Sequence, residues 1–226
     1  MNELKIIAKI RTDFPTKFGI PRQSGLVDTV GKIVFEKDYK NPAALKGIED
    51  FSHLWLIWNF SEANKEKWSP TVRPPRLGGN KRIGVFATRS PFRPNPIGLS
   101  CVKIIETQIT ANEGTVIYVS GADILSGTPI YDIKPYIPYS DCITNAKGSY
   151  TDETKDYKLD VECDDTLLEK IPQEKQKAFI DILSCDPRPS YHKDKNRIYG
   201  LDFAGFNIKF TVDENILFVK EINKLD

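Results

Sequence analysis

Residues 84–100 read GVFATRSPFRPNPIGLS, and the residue types in that stretch are those of a binding loop. Arg89 and Arg93 each carry a rigid fork of N–H donors suited to carboxylates and phosphates. Pro91, Pro94 and Pro96 hold φ near −65° and push their predecessors toward extended backbone, so the loop between them is stiff. A simple turn would instead use Gly, Asn or Asp at positive φ. The flanking residues, Ile83–Thr88 and those from Ile97 onward, read as strands, and a rigid polar loop between two strands suits a site that must hold something in place.

The loop lies inside a longer basic segment. From residue 67 to residue 103 the sequence contains Lys67, Arg73, Arg76, Lys81, Arg82, Arg89, Arg93 and Lys103, with no Asp or Glu, although the whole chain carries a formal net charge of only +1. Such a segment is a candidate footprint for a phosphate backbone. A solvated basic surface is the plainer reading.

Composition limits the other possibilities. The chain has 226 residues, of which 40% are hydrophobic and 28% charged, enough for one large domain or a main domain with a small companion. The opening MNELKIIAKI does not read as a signal peptide, and no run approaches the ~18 apolar residues of a membrane helix. Cys101, Cys142, Cys163 and Cys185 form no C-x-x-C pair and, with two histidines in the chain, point to buried reduced thiols, no metal and a cytoplasmic setting. Neither common phosphate-cradling glycine motif is present, and G-x-S-x-G is absent too. His53 has the chemistry of a base, but on a strand beside Trp55 it reads first as a packing residue. Asp123, near the end of an apolar strand, suits either a simple turn or a grip on a hydroxyl or amine.

Strands are expected at 4–10, 26–36, 51–60, 83–88, 97–106 and 115–120, with a helical turn near 41–48. In FSHLWLIWNF (51–60), Leu54, Leu56, Trp58 and Phe60 share one face and the other is nearly as apolar, which places it deep in a sheet or barrel wall. Many strands with little helix between them predict a mainly β fold, an antiparallel barrel or sandwich. The composition turns polar and acidic after about Asp141. Beyond it, residues 173–185 form an amphipathic helix, and FNIKFTV and NILFVKEI a hairpin, in a small α+β unit. The expected division is 1–145 and 150–226.

Extended backward to VRPPRLGGNKRIGVFATRSPFRPNPIGLS (72–100), the loop resembles the signature of the TrmO/YaeB family of S-adenosylmethionine-dependent tRNA adenosine N6-methyltransferases. PRQSG (21–25), FSHLWLIWNF (51–60) and GADILSGTPIYDIKPYIPYSD (121–141) agree in order, and DPRPSY (186–191) and YGLDFAGFNIKF (199–210) resemble the family's C-terminal domain. The resemblance implies an N-terminal antiparallel β-barrel methyltransferase domain unlike the Rossmann type, a small α+β C-terminal domain, a homodimer, and S-adenosylmethionine as cofactor. It implies a tRNA substrate, methylated at N6 of (threonylcarbamoyl)adenosine 37 beside the anticodon. By the same resemblance the cofactor is held by Pro21, Arg22, Gln23, Ser61, Glu62, Arg89, Leu99 and the run Asp123, Ile124, Leu125 and Ser126. Many relatives carry His where Ser61 stands and an acid where Ser126 stands.

An oxygen acceptor near N6–H would aid the transfer, and Asn95, between two prolines, is the candidate. Arg73, Arg76, Lys81, Arg82 and Arg93 are the expected phosphate contacts to the anticodon stem-loop. The alternatives are a tRNA-binding module without transfer activity and a methyltransferase acting on another RNA or a small molecule.

Overall fold

Alternating burial organises the first half of the chain. The computed structural model describes residues 3–63, 68–74, 81–189 and 194–225. In β1 (Ala8–Arg11), β2 (Val30–Phe35) and β3 (His53–Asn59) every second side chain is buried, as a pleated strand with one face on a core requires. The two-residue strands β4 (Thr71–Val72) and β5 (Ile83–Gly84) pair only with each other. β6 (Ile97–Thr110), β7 (Gly114–Ser120) and β8 (Pro129–Pro135) follow. The six longer strands pair antiparallel in the order β1-β2-β7-β6-β3-β8, and β8 pairs again with β1, so the sheet is a closed barrel. Ile10, Ile33, Leu54, Leu56, Ile117 and Ile130 fill its interior with no exposed surface. Burying each contributes about 1.5–3 kcal/mol.

A second core lies in the C-terminal part. A four-stranded sheet runs β10 (Tyr199–Phe203), β11 (Phe206–Asp213), β12 (Ile216–Lys224) and β9 (Asp160–Glu162), with β9 parallel to β12. Two short helices flank β9 in the chain, α1 (Pro138–Asp141) before it and α2 (Asp165–Leu168) after it. Helix α3 (Gln173–Ser184) buries Ala178, Phe179, Ile182 and Leu183, the apolar stripe read from its sequence, in the same cluster as the sheet. Phe14 and Val27, from the loop between β1 and β2, also belong to this second cluster.

Several elements differ from their sequence reading. The strand expected at 83–88 ends after Gly84 and becomes a 3-10 turn, Val85–Ala87. Local bonds cause this: Val85 N–H reaches the Pro70 carbonyl, and the Thr88 amide and hydroxyl both return to the Val85 carbonyl. The turn near 41–48 is two 3-10 segments, Pro42–Leu45 and Ile48–Asp50. β8 escaped the sequence reading because prolines mark both its ends, where a strand tolerates them. Cys142 is exposed and the other three cysteines half-buried, all with free thiols, so, contrary to expectation, none is fully buried.

One glycine in the wall is set by packing. A Cβ on Gly98 would lie 2.2 Å from the Trp58 ring. That ring is fixed by a hydrogen bond from Nε1 to Ser100 Oγ (2.9 Å) and by Phe60, 4.2 Å away between centroids. Gly98→Ala should therefore lower unfolding free energy by about 1–3 kcal/mol in urea titrations. Gly84→Ala, where nothing lies within 4 Å of the added carbon, should stay close to wild type.

Candidate active site

The site forms where β6 changes partners. Lys103 pairs with His53 of β3 on one edge and with Ser120 of β7 on the other. Residues 97–102 keep β3, but no β7 residue stands opposite them, because the chain leaves the sheet at Gly121 with φ 85°. Part of that opening is filled by residues 21–25. Ser24 Oγ accepts from the Cys101 N–H at 3.1 Å, and Gly25 N–H donates to the Gly121 carbonyl at 2.9 Å. A side chain at Gly121 would start 3.2 Å from the Gly25 backbone, so this close approach depends on glycine.

Strand alternation decides what β6 offers here. Ile104 N–H bonds Ser52 on the β3 side, whereas Cys101 N–H bonds Ser24 on the other. Leu99, two residues before Cys101, therefore also aims its N–H and C=O into the opening. Its side chain points out of the barrel and is 52% exposed.

Two polar chains meet at the opening. On the inner side Trp58 Nε1 donates to Ser100 Oγ, and the Ser100 hydroxyl donates to Asp123 Oδ1 at 2.5 Å. Burial raises the Asp123 carboxyl above its ordinary range, an effect partly offset by Ser100, by backbone amides including that of Ser24, and by Arg89. On the outer side Arg89 Nη1 donates to Gln23 Oε1.

The residues expected to hold a cofactor divide accordingly. Gln23, Arg89, Asp123 and the Leu99 backbone converge on the opening. Ser61 and Glu62 lie on the turn after β3, where Phe60 N–H bonds the Pro96 carbonyl, and the Glu62 carboxylate pairs with Lys17 at 3.0 Å. Pro21 is buried, and Arg22 points to the C-terminal unit, donating to the carbonyls of Asp186 and Arg188. Ile124 is a fully buried core residue whose carbonyl accepts from Thr12 Oγ1, and Ser126 Oγ accepts from Thr12 N–H. Those two residues tie the turn to the segment after β1. Leu125 is half-buried beside them.

Asn95 is exposed at the head of β6, its carbonyl accepting from Ile97 N–H. Arg73, Lys81 and Arg82 are exposed around the β4–β5 ribbon, with Arg82 Nε bonded to Thr71 Oγ1 at 2.7 Å. Arg76 lies outside the described residues. Arg93, offered to a phosphate on sequence grounds, is half-buried and braces its own loop: Nη1 donates to the carbonyls of Val85 (3.2 Å) and Thr88 (2.6 Å), and the guanidinium lies over Phe86. Sequence reasoning missed Ser24 and Ser100. Ser100 carried a signal, a hydroxyl on the inward register of an apolar strand, where buried polar groups need a partner.

Guanidinium, side-chain amide, carboxylate and an outward strand-edge N–H and C=O together fit an amino-acid nucleoside with a carboxylate, an ammonium, hydroxyls and a base edge. A small barrel with such a site in its wall defines a class of ligand-binding β-barrels distinct from glycine-loop nucleotide folds. Residues 9–142 match the family model described as the tRNA-methyltransferase O N-terminal domain, and residues 156–225 match the TrmO C-terminal domain. The chain belongs to the TrmO family. It is 37% identical to the tRNA (adenine(37)-N6)-methyltransferase of Escherichia coli K12 over 217 residues, 92% of each chain. It is also 37% identical over 145 residues to an S-adenosyl-L-methionine-binding protein of Archaeoglobus fulgidus, covering 64% of this chain and 96% of that one. The crystal structure of TrmO from Pseudomonas aeruginosa superposes with a TM-score of 0.80 at 28% identity, covering 99% of this chain and 97% of that one. Among the described residues no group of His, Cys, Asp and Glu could hold a metal, and no helix is long and apolar enough to cross a membrane.

The Asp123 environment makes a pH prediction. A carboxyl whose folded pKa is raised contributes stability that is whole below the unfolded value and is lost as pH rises through the folded one. Asp123→Asn should remove that loss. Melting temperatures from about pH 4 to 8 should fall less on the alkaline side in the variant than in wild type.

Proposed function

We propose that the chain transfers a methyl group from S-adenosylmethionine to N6 of adenosine 37 in cytoplasmic tRNA, with the threonylcarbamoyl form of that nucleoside as substrate. Enzyme class and cofactor rest on family membership. The observation that carries the site is the opening beside β6, where Gln23, Arg89, Asp123 and the Leu99 backbone meet, Arg89 and Leu99 belonging in sequence to the acid-free segment 67–103. The cofactor, when bound, supplies a methyl group on a sulfonium.

The chain's own part is alignment, since holding donor and acceptor in line supplies several kcal/mol of barrier reduction. Leu99 offers strand-edge N–H and C=O, Arg89 a carboxylate partner, and Asp123 an acceptor for hydroxyl or ammonium. Asn95 stands at the same end of β6, on backbone stiffened by Pro94 and Pro96, and is proposed to accept from the N6–H of the substrate. Residues 1–145 carry this chemistry and 150–226 support it, in a homodimer.

Arg73, Lys81 and Arg82 are proposed to meet anticodon-arm phosphates. Near them Trp68 is 50% and Phe86 70% exposed, their ring centroids 6.1 Å apart. Exposed aromatics beside cations suit unstacked RNA bases.

Incubation of tRNA with the enzyme and S-adenosylmethionine, followed by nucleoside mass spectrometry, tests the reaction. A single added methyl on the adenosine beside the anticodon is expected, and a methyl on another nucleoside, or none, overturns it. Arg89→Ala should weaken cofactor binding about tenfold by calorimetry. Trp68→Ala with Phe86→Ala should cost tenfold or more in tRNA affinity, at about 1–3 kcal/mol per stacked base, with cofactor affinity unchanged. Arg73→Ala with Arg82→Ala should make the salt dependence of tRNA binding shallower by about 0.7 per lost phosphate contact.

A further inference from the structure

Asp186 is buried to 5% exposure and has φ 53°, a left-handed conformation uncommon outside glycine, though Asn and Asp adopt it more readily than other residues. Its carboxylate accepts from Arg188 Nε (2.9 Å) and Nη2 (3.1 Å) and from the Tyr157 hydroxyl (3.0 Å). Burial alone would raise this carboxyl, but Arg188 and Tyr157 outweigh it and hold it below the ordinary range, so it stays charged at neutral pH. A strained, buried ion pair is a poor source of stability compared with apolar packing. What it does accomplish is geometric. The carbonyls of Asp186 and Arg188 both face Arg22 Nη2, each at 3.2 Å.

Arg22 directly precedes Gln23 and Ser24, the two loop residues that reach the opening beside β6. The rest of that loop is also seated on the C-terminal unit. Phe14 and Val27 lie in its core, and the Phe18 ring stacks at 6.5 Å on both Tyr199 and Phe210. A Cβ on Gly19 would fall 1.9 Å from Leu201 Cδ1, so the backbone itself lies against the C-terminal sheet. Asp13 pairs with Lys175 of α3 at 2.5 Å.

We infer that the C-terminal unit positions the cofactor loop: Tyr157, Asp186 and Arg188 hold two carbonyls against Arg22, and that contact sets where Gln23 and Ser24 meet Arg89, Cys101 and Asp123. Arg22, Tyr157, Asp186 and Arg188 are thus positioning residues for the transfer reaction. The inference rests on the cofactor site proposed above.

The test uses the full chain with Arg22→Gln, Asp186→Asn, Tyr157→Phe, the Arg22→Gln/Asp186→Asn double variant and Gln23→Ala. S-adenosylmethionine affinity is read by calorimetry well below each melting temperature, alongside the KM for that cofactor and kcat in methyl transfer. Arg22→Gln and Asp186→Asn should each weaken cofactor binding and raise its KM about tenfold, with kcat within about twofold, and Tyr157→Phe should do so more mildly, about threefold. The double variant should be no worse than the poorer single one, because both act through one contact. Weakened binding in Gln23→Ala with wild-type affinity in Asp186→Asn and Tyr157→Phe would overturn the positioning role alone, leaving Arg22 at most a direct ligand. Should Asp186→Asn fail to fold, Tyr157→Phe, which removes one hydroxyl, decides by the same readout. Wild-type affinity in Gln23→Ala and Arg22→Gln together would overturn the site itself.

Discussion

A strand in a barrel wall needs hydrogen-bonding partners on both edges, and β6 has sheet partners on both only where it passes from β3 to β7 at Lys103. An exposed strand edge is costly to leave bare in a buried setting and sticky in a solvated one. Here the unpaired length is partly occupied by a loop remote in sequence, through Ser24, and otherwise presents the main-chain groups of Leu99. Everything assigned to the site follows from that exchange of partners. Gly121 turns β7 away, Gly25 approaches closely enough to replace it, and Asp123 comes to lie beneath the opening, bonded to Ser100.

The proline-rich loop gives this opening one stiff side. Its rigidity comes from more than proline geometry, because Arg93 draws the loop onto the Val85 and Thr88 carbonyls while Thr88 closes the 3-10 turn. Charge-assisted bonds to carbonyls are stronger than neutral ones and hold the backbone before any ligand arrives. For a reaction whose catalysis is mostly alignment, such preorganisation is the main resource the protein has. The inner side is equally constrained, since Trp58, Ser100 and Asp123 form one bonded chain within the wall.

The other side of the opening is borrowed. The loop that supplies Gln23 and Ser24 begins and ends in the barrel, yet its Phe14 and Val27 are buried in the C-terminal core and Phe18 and Ile20 pack against it. Barrel and C-terminal sheet therefore share a structural element, and a shift of one relative to the other would be felt first at the loop that carries Gln23 and Ser24. The C-terminal unit thus has a physical connection to the candidate site.

Much of this protein was legible in its residues taken in order. Period-two burial in FSHLWLIWNF, the apolar stripe of α3 and the hairpin of FNIKFTV and NILFVKEI are local patterns, and local patterns report which face of an element is wet. The density of arginine and proline in residues 84–100, with the absence of acids around it, made that loop the binding candidate by composition alone. Tertiary structure decided the rest. Arg93 and Arg22 read as ligand-binding arginines, but the folded chain surrounds them with carbonyls from Val85, Thr88, Asp186 and Arg188. Likewise Ser126 and Ile124 were spent on Thr12, while Ser24 and Ser100, unnoticed in sequence, became part of the site. A guanidinium or a hydroxyl has the same chemistry anywhere in the chain; which partner it meets depends on backbone groups tens of residues away, and only the closed fold brings those within bonding distance.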